Sequence, residues 1–465
     1  MPKIIIVGGG YAGLAAATAL AEAGLSVELL ESKGILGGRA YSTGRTEHFP
    51  LMADNGPHLF MGCYTETLRM FHRIGVERHL HWIDPLSLSW LTPGGKKVHL
   101  KCAPLPAPLH LAWGLLTSNA FPWNEKLSMA RALSAFSRKP FRISPDVETV
   151  AQYLDATHQG PFSRERFWVP LCNAVMNVSP DVAPLQGLGE VLRRVFFGSR
   201  ADSALGVAKL PLSEMVSVQA QKYLEGEGAR VRLHEGVQEF TLKDGRVEMK
   251  TRSGEIVTAE ALLLAVPPTS LAALWPQGSW DAAAHFPQMG KSPIVSVHLV
   301  LSKPVMEGHL VGLSGAKFEW VFNRNANWAF RDQGVDTLKV SIQPNRAPSL
   351  EAQGQVQYLS FTASAAEDLA RLKDAELVQL AWRELTDRCP AAQGVEVLHS
   401  KVTREMAATF VWNKETDKFR PPCQTPYPNV FLAGDWTDTG LPATLEGACL
   451  SGHRAAEKVL SLLKK

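Results

Sequence analysis

The chain has 465 residues, 45% of them hydrophobic and 20% charged, with a formal net charge of +3. That length accommodates two domains with separate cores. So small a charge, with no basic cluster interleaved with aromatics, gives no reason to expect nucleic acid as a partner.

The first strand is predicted over Ile4–Val7, so near the start that a signal peptide has no room. It runs into Gly8-Gly9-Gly10-Tyr11-Ala12-Gly13 and an alanine-rich helix, and a second strand, Val27–Leu30, ends at Glu31. Strand, glycine turn, helix, strand and terminal acid together make a dinucleotide fingerprint. Gly8 permits the tight turn, and Gly10 lets backbone approach a pyrophosphate. Gly13 lets the helix lie close on the strand, so that N–H groups at its start, at Tyr11 and Ala12, meet the phosphates. Glu31 is then placed to accept hydrogen bonds from ribose hydroxyls.

Gly37-Gly38-Arg39-Ala40 follows. Its glycines bring backbone close to a ligand, and Arg39 supplies a fixed positive charge for a phosphate or ribose. The alternative is a surface turn with a solvated arginine. Asp54-Asn55-Gly56-Pro57-His58 is a rigid turn that would lay the backbone of Asn55 and Gly56 beside a cofactor ring and aim His58 toward a substrate. A histidine here could equally satisfy buried carbonyls. Thr65 is the expected N-cap of a helix reaching Ile74, with Gly75 as its stop.

From about 83 to 202 the texture changes to prolines, tryptophans and long helical patterns. Within it the stretch from Pro104 to Phe121, with Leu109, Trp113 and Leu116, has the composition of an interfacial segment. Its alternative is a buried helix with proline stops. A helix from near Ser213 to the Gly226–Gly228 region precedes a strand at Val231–Leu233 and then Glu235-Gly236-Val237. There Val237 could offer its N–H and C=O to an adenine, although any strand connection looks similar. Strands punctuated by Asp244-Gly245 and Ser253-Gly254 follow, and a buried strand over Leu262–Val266 stops at Pro267-Pro268.

Strands such as Ile294–Leu301 then mix with helices such as Ala375–Arg388. A last strand, Val430–Ala433, ends in Gly434-Asp435, whose carboxylate would reach a ribityl chain. The helix from about Ala443, with Thr444 and Gly447, aims N–H groups and a positive dipole end at a second anionic centre. The six cysteines stand apart with no CxxC pair, as free thiols in a reducing cytoplasm would. The fourteen histidines show no ligand spacing, so no metal is expected. No apolar run approaches a membrane span.

The expected fold is α/β. A discontinuous Rossmann-like dinucleotide-binding domain takes 1–82, 203–275 and 415–465. A second, mixed α+β domain for the substrate takes 83–202 and 276–414 and carries a helical insert.

On Gly8 to Gly13, Glu31, Gly37-Gly38-Arg39, Gly434-Asp435 and the tail from Glu446-Gly447-Ala448 to Ser451-Gly452-His453-Arg454-Ala455-Ala456, the chain resembles the FAD-dependent amine oxidase and phytoene desaturase superfamily. The resemblance covers nearly the full length. A closer similarity, to the hydroxysqualene dehydroxylase group, rests on four further matches. They are Asp54 to His58 continuing through Gly62 to Leu68, Phe167 to Asn173, Trp320 to Arg324, and Asp435-Trp436 with Gly440 to Thr444. Members of that group commonly carry Gln where this chain has Pro57, so that side chain is given no role.

The resemblance implies non-covalent FAD, a C30 isoprenoid substrate and an upstream hydroxysqualene-forming enzyme as a partner. The implied reaction takes an allylic hydroxysqualene to squalene in hopanoid biosynthesis, with hydride from reduced flavin and loss of water. Hydroxide leaves poorly because its conjugate acid has a pKa of about 15.7. A donor of pKa about 4 to 6.5 eases departure by at most roughly 12 to 16 kcal/mol. His58 is the first candidate for that acid and Asp54 the second. Thirty carbons at ~0.8 kcal/mol each oppose transfer to water by roughly 24 kcal/mol, so peripheral contact with the inner face of the membrane is expected of a cytoplasmic enzyme. Two rivals remain: a carotenoid-type desaturase running the flavin oxidatively, and a lipid-binding escort of the same fold without redox chemistry.

Overall fold

The structure is a computed structural model that describes residues 2–243, 245–276, 279–328 and 356–464. Asp244, half of one hairpin signal, lies outside the described residues.

Five parallel strands form one sheet in the order Arg230–Arg232, Ser26–Leu30, Lys3–Val7, Ala261–Leu264, Val430–Leu432. Parallel sheets are covered on both faces and read as continuous apolar runs. Here Ile4 to Ile6 and Leu262 to Leu264 are fully buried. Val7 pairs with both Leu30 and Leu264, which levels the carboxyl ends of three strands, the edge where open α/β sheets bind ligands.

The first helix, Tyr11–Glu22, packs along the C-terminal helix, Leu445–Leu463. A Cβ on Gly452 would strike the Ala12 carbonyl, so this glycine sets the close approach. The helix Thr65–Arg73 starts one residue earlier than a Thr65 cap implies, with Tyr64 at the N-cap and no side-chain cap. Its cap comes from the C-terminal helix. The Glu446 carboxylate accepts from the N–H groups of Glu66 (3.1 Å) and Thr67 (2.9 Å), meeting orphan donors and the dipole together. A local sequence rule cannot see a cap supplied from 380 residues away.

The region after residue 83 first gives two strands that the sequence reading missed, Ser87–Leu91 and Lys97–Lys101. The second alternates exposed and buried side chains along Lys97-Val98-His99-Leu100-Lys101, a period-two signal that was there to find. They complete a seven-stranded sheet ordered Val397–Thr409, Ser292–Leu301, Gln357–Ala363, Trp320–Asn323, Leu310–Leu313, Ser87–Leu91, Lys97–Lys101. One face is apolar: Val295, Val297, Leu299, Val321 and Phe361 pack with Leu377 and Leu385 of the helix Asp374–Thr386. Alternation puts Ser296, His298, Ser360 and Thr362 on the opposite face. That face meets the 54–58 loop, where a Cβ on Gly56 would lie 3.9 Å from both Ile294 Cγ2 and Ser296 Oγ.

The stretch from Pro104 to Phe121 carries a half-buried helix. Its helix, Leu109–Thr117, buries Leu111 and Leu115 and leaves Leu109, Trp113 and Leu116 at least half exposed. The next helix, Trp123–Ser134, adds exposed Trp123 and Leu127. Among the described residues, no helix is long and apolar enough to cross a membrane.

Candidate functional site

The fingerprint loop is packed backbone on backbone. Gly8 sits at φ +105°, where a Cβ would run into the Ala265 carbonyl, and a Cβ on Gly13 would run into the Gly8 carbonyl. Gly38, at φ +66°, would bring a Cβ to 2.9 Å from the Gly10 Cα, and the Gly37 N–H donates to the Gly9 carbonyl at 2.8 Å. The space before Gly10 itself is wider: a Cβ there meets only the Gly38 Cα, at 3.7 Å. The helix that follows has no side-chain cap and no acid in its first turn, so the N–H groups at Tyr11 and Ala12 and the positive dipole end face that space uncompensated.

Glu31 is buried at the end of the second strand. One oxygen accepts from the Gly9 N–H (2.7 Å) and the other from the Lys33 N–H (2.8 Å). The Glu235 N–H donates to the Glu31 carbonyl at 2.9 Å, which brings the crossing before buried Val237 beside that acid. An uncapped helix start, a cradle bounded by glycine backbone and a buried acid fit a dinucleotide cofactor.

Arg39 and Asp435, each expected as a cofactor contact, are bonded to one another. Arg39 Nη2 donates to both Asp435 oxygens at 2.8 Å, and Nη1 donates to the Ala408 carbonyl at 2.8 Å. The bidentate pair binds the glycine turn at Gly38 to the strand end at Gly434, across 396 residues of sequence. The Gly434 N–H donates to Ser451 Oγ at 2.8 Å. At the start of the C-terminal helix, just after Ala443, Thr444 is the N-cap and accepts from the Gly447 N–H at 3.1 Å.

The 54–58 loop is anchored from two sides. Asp54 Oδ1 accepts from Ser42 Oγ (2.7 Å) and the Leu212 N–H (3.1 Å), while Oδ2 pairs with Arg324 at 3.0 Å. Arg324 Nε donates to Ser360 Oγ at 3.0 Å, and that hydroxyl meets His298 Nδ1 at 2.9 Å. The far side of the loop is tied by Asn55 Nδ2 to Glu405 (2.9 Å) and by Thr403 Oγ1 to the Asn55 carbonyl (2.8 Å). All three Asp54 partners are donors, so Asp54, the second candidate for the acid, anchors this loop.

His58 is half-buried beside this anchor. Burial pulls its pKa down to about 4; Asp54 opposes the shift, and Arg324 and Arg39 add to it. At neutral pH a ring so shifted holds no stored proton, which weakens His58 as the first candidate for the acid. Sequence reasoning assigned nothing to Arg324, His298 or Ser360. The signal was polar residues recurring with period two on otherwise apolar strands, Ser296 and His298 on one and Ser360 and Thr362 on the next.

A family model described as "Flavin containing amine oxidoreductase" matches residues 11–460. Hydroxysqualene dehydroxylase of Rhodopseudomonas palustris is 30% identical over 465 residues, spanning 98% of this chain and 98% of that protein. The 15-cis-phytoene desaturase of Narcissus pseudonarcissus is 25% identical over 476 residues, spanning 98% of this chain and 79% of that one. Among solved structures, cyclohexylamine oxidase from Brevibacterium oxydans shares the fold with a TM-score of 0.66 at 15% identity, covering 100% of both chains.

Proposed function

This chain belongs to the flavin-containing amine oxidoreductase family, and from that premise we propose that it reduces hydroxysqualene, an allylic C30 alcohol, to squalene in hopanoid biosynthesis. It is an oxidoreductase, and its cofactor is FAD. When bound and reduced, FAD supplies the hydride. The observation that carries the reading is the 30% identity to a hydroxysqualene dehydroxylase over 98% of both chains, where the desaturase is matched over 79% of its own length.

The chain's residues divide the work. The helix start at Gly10, Tyr11 and Ala12 takes the pyrophosphate, Glu31 the ribose and Val237 the adenine. The Arg39–Asp435 pair and Gly434 take the ribityl side, while Asn55 and Gly56 offer backbone to the ring. Thr444 and Gly447 hold the helix start that faces the ring's anionic edge. All are non-covalent contacts. His58, neutral in this setting, orients the substrate by hydrogen bonding. The division of labour follows the expected halves, with 1–82, 203–275 and 415–465 for FAD and 83–202 and 276–414 for substrate.

A substrate this insoluble reaches the site from a membrane. Leu109, Trp113, Leu116, Trp123 and Leu127 form an exposed apolar face on two consecutive helices. Lys126 lies over the Trp123 ring at 4.6 Å, and exposed Arg131, Arg138 and Lys139 follow on the same stretch of chain. Apolar residues rimmed by cations suit an anionic cytoplasmic leaflet, where an upstream enzyme forming the alcohol would deliver it.

The test is anaerobic incubation of the dithionite-reduced holoenzyme with hydroxysqualene, followed by mass spectrometry of the extracted lipids. Squalene is the expected product. No squalene, with dehydrogenation of phytoene by the oxidised enzyme, would establish the desaturase instead.

A further inference from the structure

The departing hydroxyl needs a proton; His58, pulled down to about 4, stores none at neutral pH, and Asp54 is engaged with Ser42, Leu212 and Arg324. A third group stores one. Glu319 immediately precedes the strand Trp320–Asn323, in which Trp320 pairs with Thr362, and Thr362 in turn pairs with Ser296 beside Gly56. Two strand spacings, about 10 Å, therefore separate Trp320, the next residue, from Ser296 at the 54–58 loop. Glu319 Oε1 accepts from Asn173 Nδ2 at 2.6 Å. Among the described residues, its Oε2 and the Asn173 Oδ1 are both buried without a hydrogen-bond partner.

Asn173 lies in the helix Val169–Met176, so the contact joins Phe167–Asn173 to Trp320–Arg324, two segments that the site so far leaves without a catalytic role. The surroundings are aromatic: Trp320 lies against Trp90 at 6.4 Å, and Phe167 against Trp168 at 5.1 Å.

We propose that Glu319, oriented by Asn173, is the acid of this site, and that the substrate hydroxyl is the partner its Oε2 and the Asn173 Oδ1 lack. This rests on the dehydroxylation reading above. A hydroxyl both donates and accepts, so one oxygen serves an acid O–H and an amide carbonyl together. A hydrocarbon serves neither and leaves both unpaired, which favours binding of alcohol over product.

In the reaction the allylic C–O bond breaks and the carbon gains two electrons with the hydride from reduced flavin. The oxygen leaves as water carrying the Glu319 proton. The carboxylate left behind regains a proton from solvent.

Burial pushes Glu319 up to about 8, Asn173 and the backbone at Ser364 only partly oppose it, and among the described residues no ion pair reaches it. A buried carboxyl without a cation keeps its proton. The nearby titratable and charged groups do not supply an alternative. Burial holds the Cys172 thiol protonated, Glu165 and Arg166 are engaged at Ser314, and Glu384 accepts from the N–H groups of Lys317 and Phe318.

Glu319→Gln in the flavin-loaded enzyme keeps the shape and a donor but has no acidic proton. Squalene formation should slow at least ~100-fold, with flavin content unchanged. Wild-type turnover should fall as pH rises through about 8, a limb absent from Glu319→Gln. Infrared difference spectra of the wild type should lose a protonated-carboxyl band across the same pH, and the variant should show no such loss. Asn173→Ala should lower the preference for hydroxysqualene over squalene about tenfold, read from flavin absorbance during titration. A wild type that makes squalene beside a Glu319→Gln variant of equal rate overturns the role of Glu319 and leaves the reaction standing. A wild type that ignores the alcohol overturns the reaction itself.

Discussion

Around Gly8–Gly13 the protein is built from backbone: glycines press against carbonyls of Gly8 and Ala265, and the ligand-facing groups are peptide N–H groups. Around Arg324 and Glu319, at the two ends of the strand Trp320–Asn323, it is built from side chains drawn from distant strands and a helix. In the first region the residue type is the geometry, since only glycine fits at Gly8 and Gly13. In the second region the same side chains could be surface, core or catalyst, and their neighbours decide. Binding chemistry is therefore written locally in this chain, and reaction chemistry is written in its tertiary contacts.

The largest effects should fall on the backbone region, where two glycines separate folding from binding. Gly13→Val drives a side chain into the Gly8 carbonyl, so little folded protein should be recovered. Gly10 has an ordinary φ of −75° and open space ahead of it, so Gly10→Val should fold. Its side chain then occupies the pyrophosphate's place, and the purified protein should be colourless. Yellow Gly10→Val protein would show that the cradle lies elsewhere. A smaller loss is expected on the side-chain region. Arg324→Met leaves Asp54 buried without its cation and removes the stacking on Trp328 (4.7 Å), a loss of about 3–5 kcal/mol in denaturant unfolding. Asp54→Asn added to it should recover part of that. Additive losses would mean that the pair is not coupled.

How much was legible follows the same division. The fingerprint strand, its helix and the three-stranded antiparallel sheet at Val237–Ala259 stood in the sequence because apolar period and turn residues are local signals. The cap of the Thr65–Arg73 helix was not legible, because Glu446 supplies it from the other end of the chain. Arg39 and Asp435 were each singled out as functional, yet nothing local says that they bind one another. His58 was chosen for its unperturbed pKa, and burial removed the ground for that choice. Glu319 carries no motif at all: its proton comes from an apolar setting that, among the described residues, no ion pair reaches, and that setting is a property of the fold.

The smallest effect on stability, and a sharp one on location, belongs to the exposed apolar face. Trp113 and Leu116 are each 50% exposed, so replacing both with Ser removes few buried contacts, and unfolding should shift by no more than about 0.5 kcal/mol. In a bilayer interface the exposed halves of the two side chains would be buried, worth about 3 kcal/mol at ~25 cal/mol per Å². That is roughly a hundredfold in partition. The double variant should therefore keep its flavin and its unfolding midpoint while co-sedimenting poorly with anionic liposomes. Turnover should fall for hydroxysqualene presented in liposomes and stay near wild type for the same alcohol in detergent micelles. Equal loss in both formats, with loss of flavin, would mean that the face is core after all.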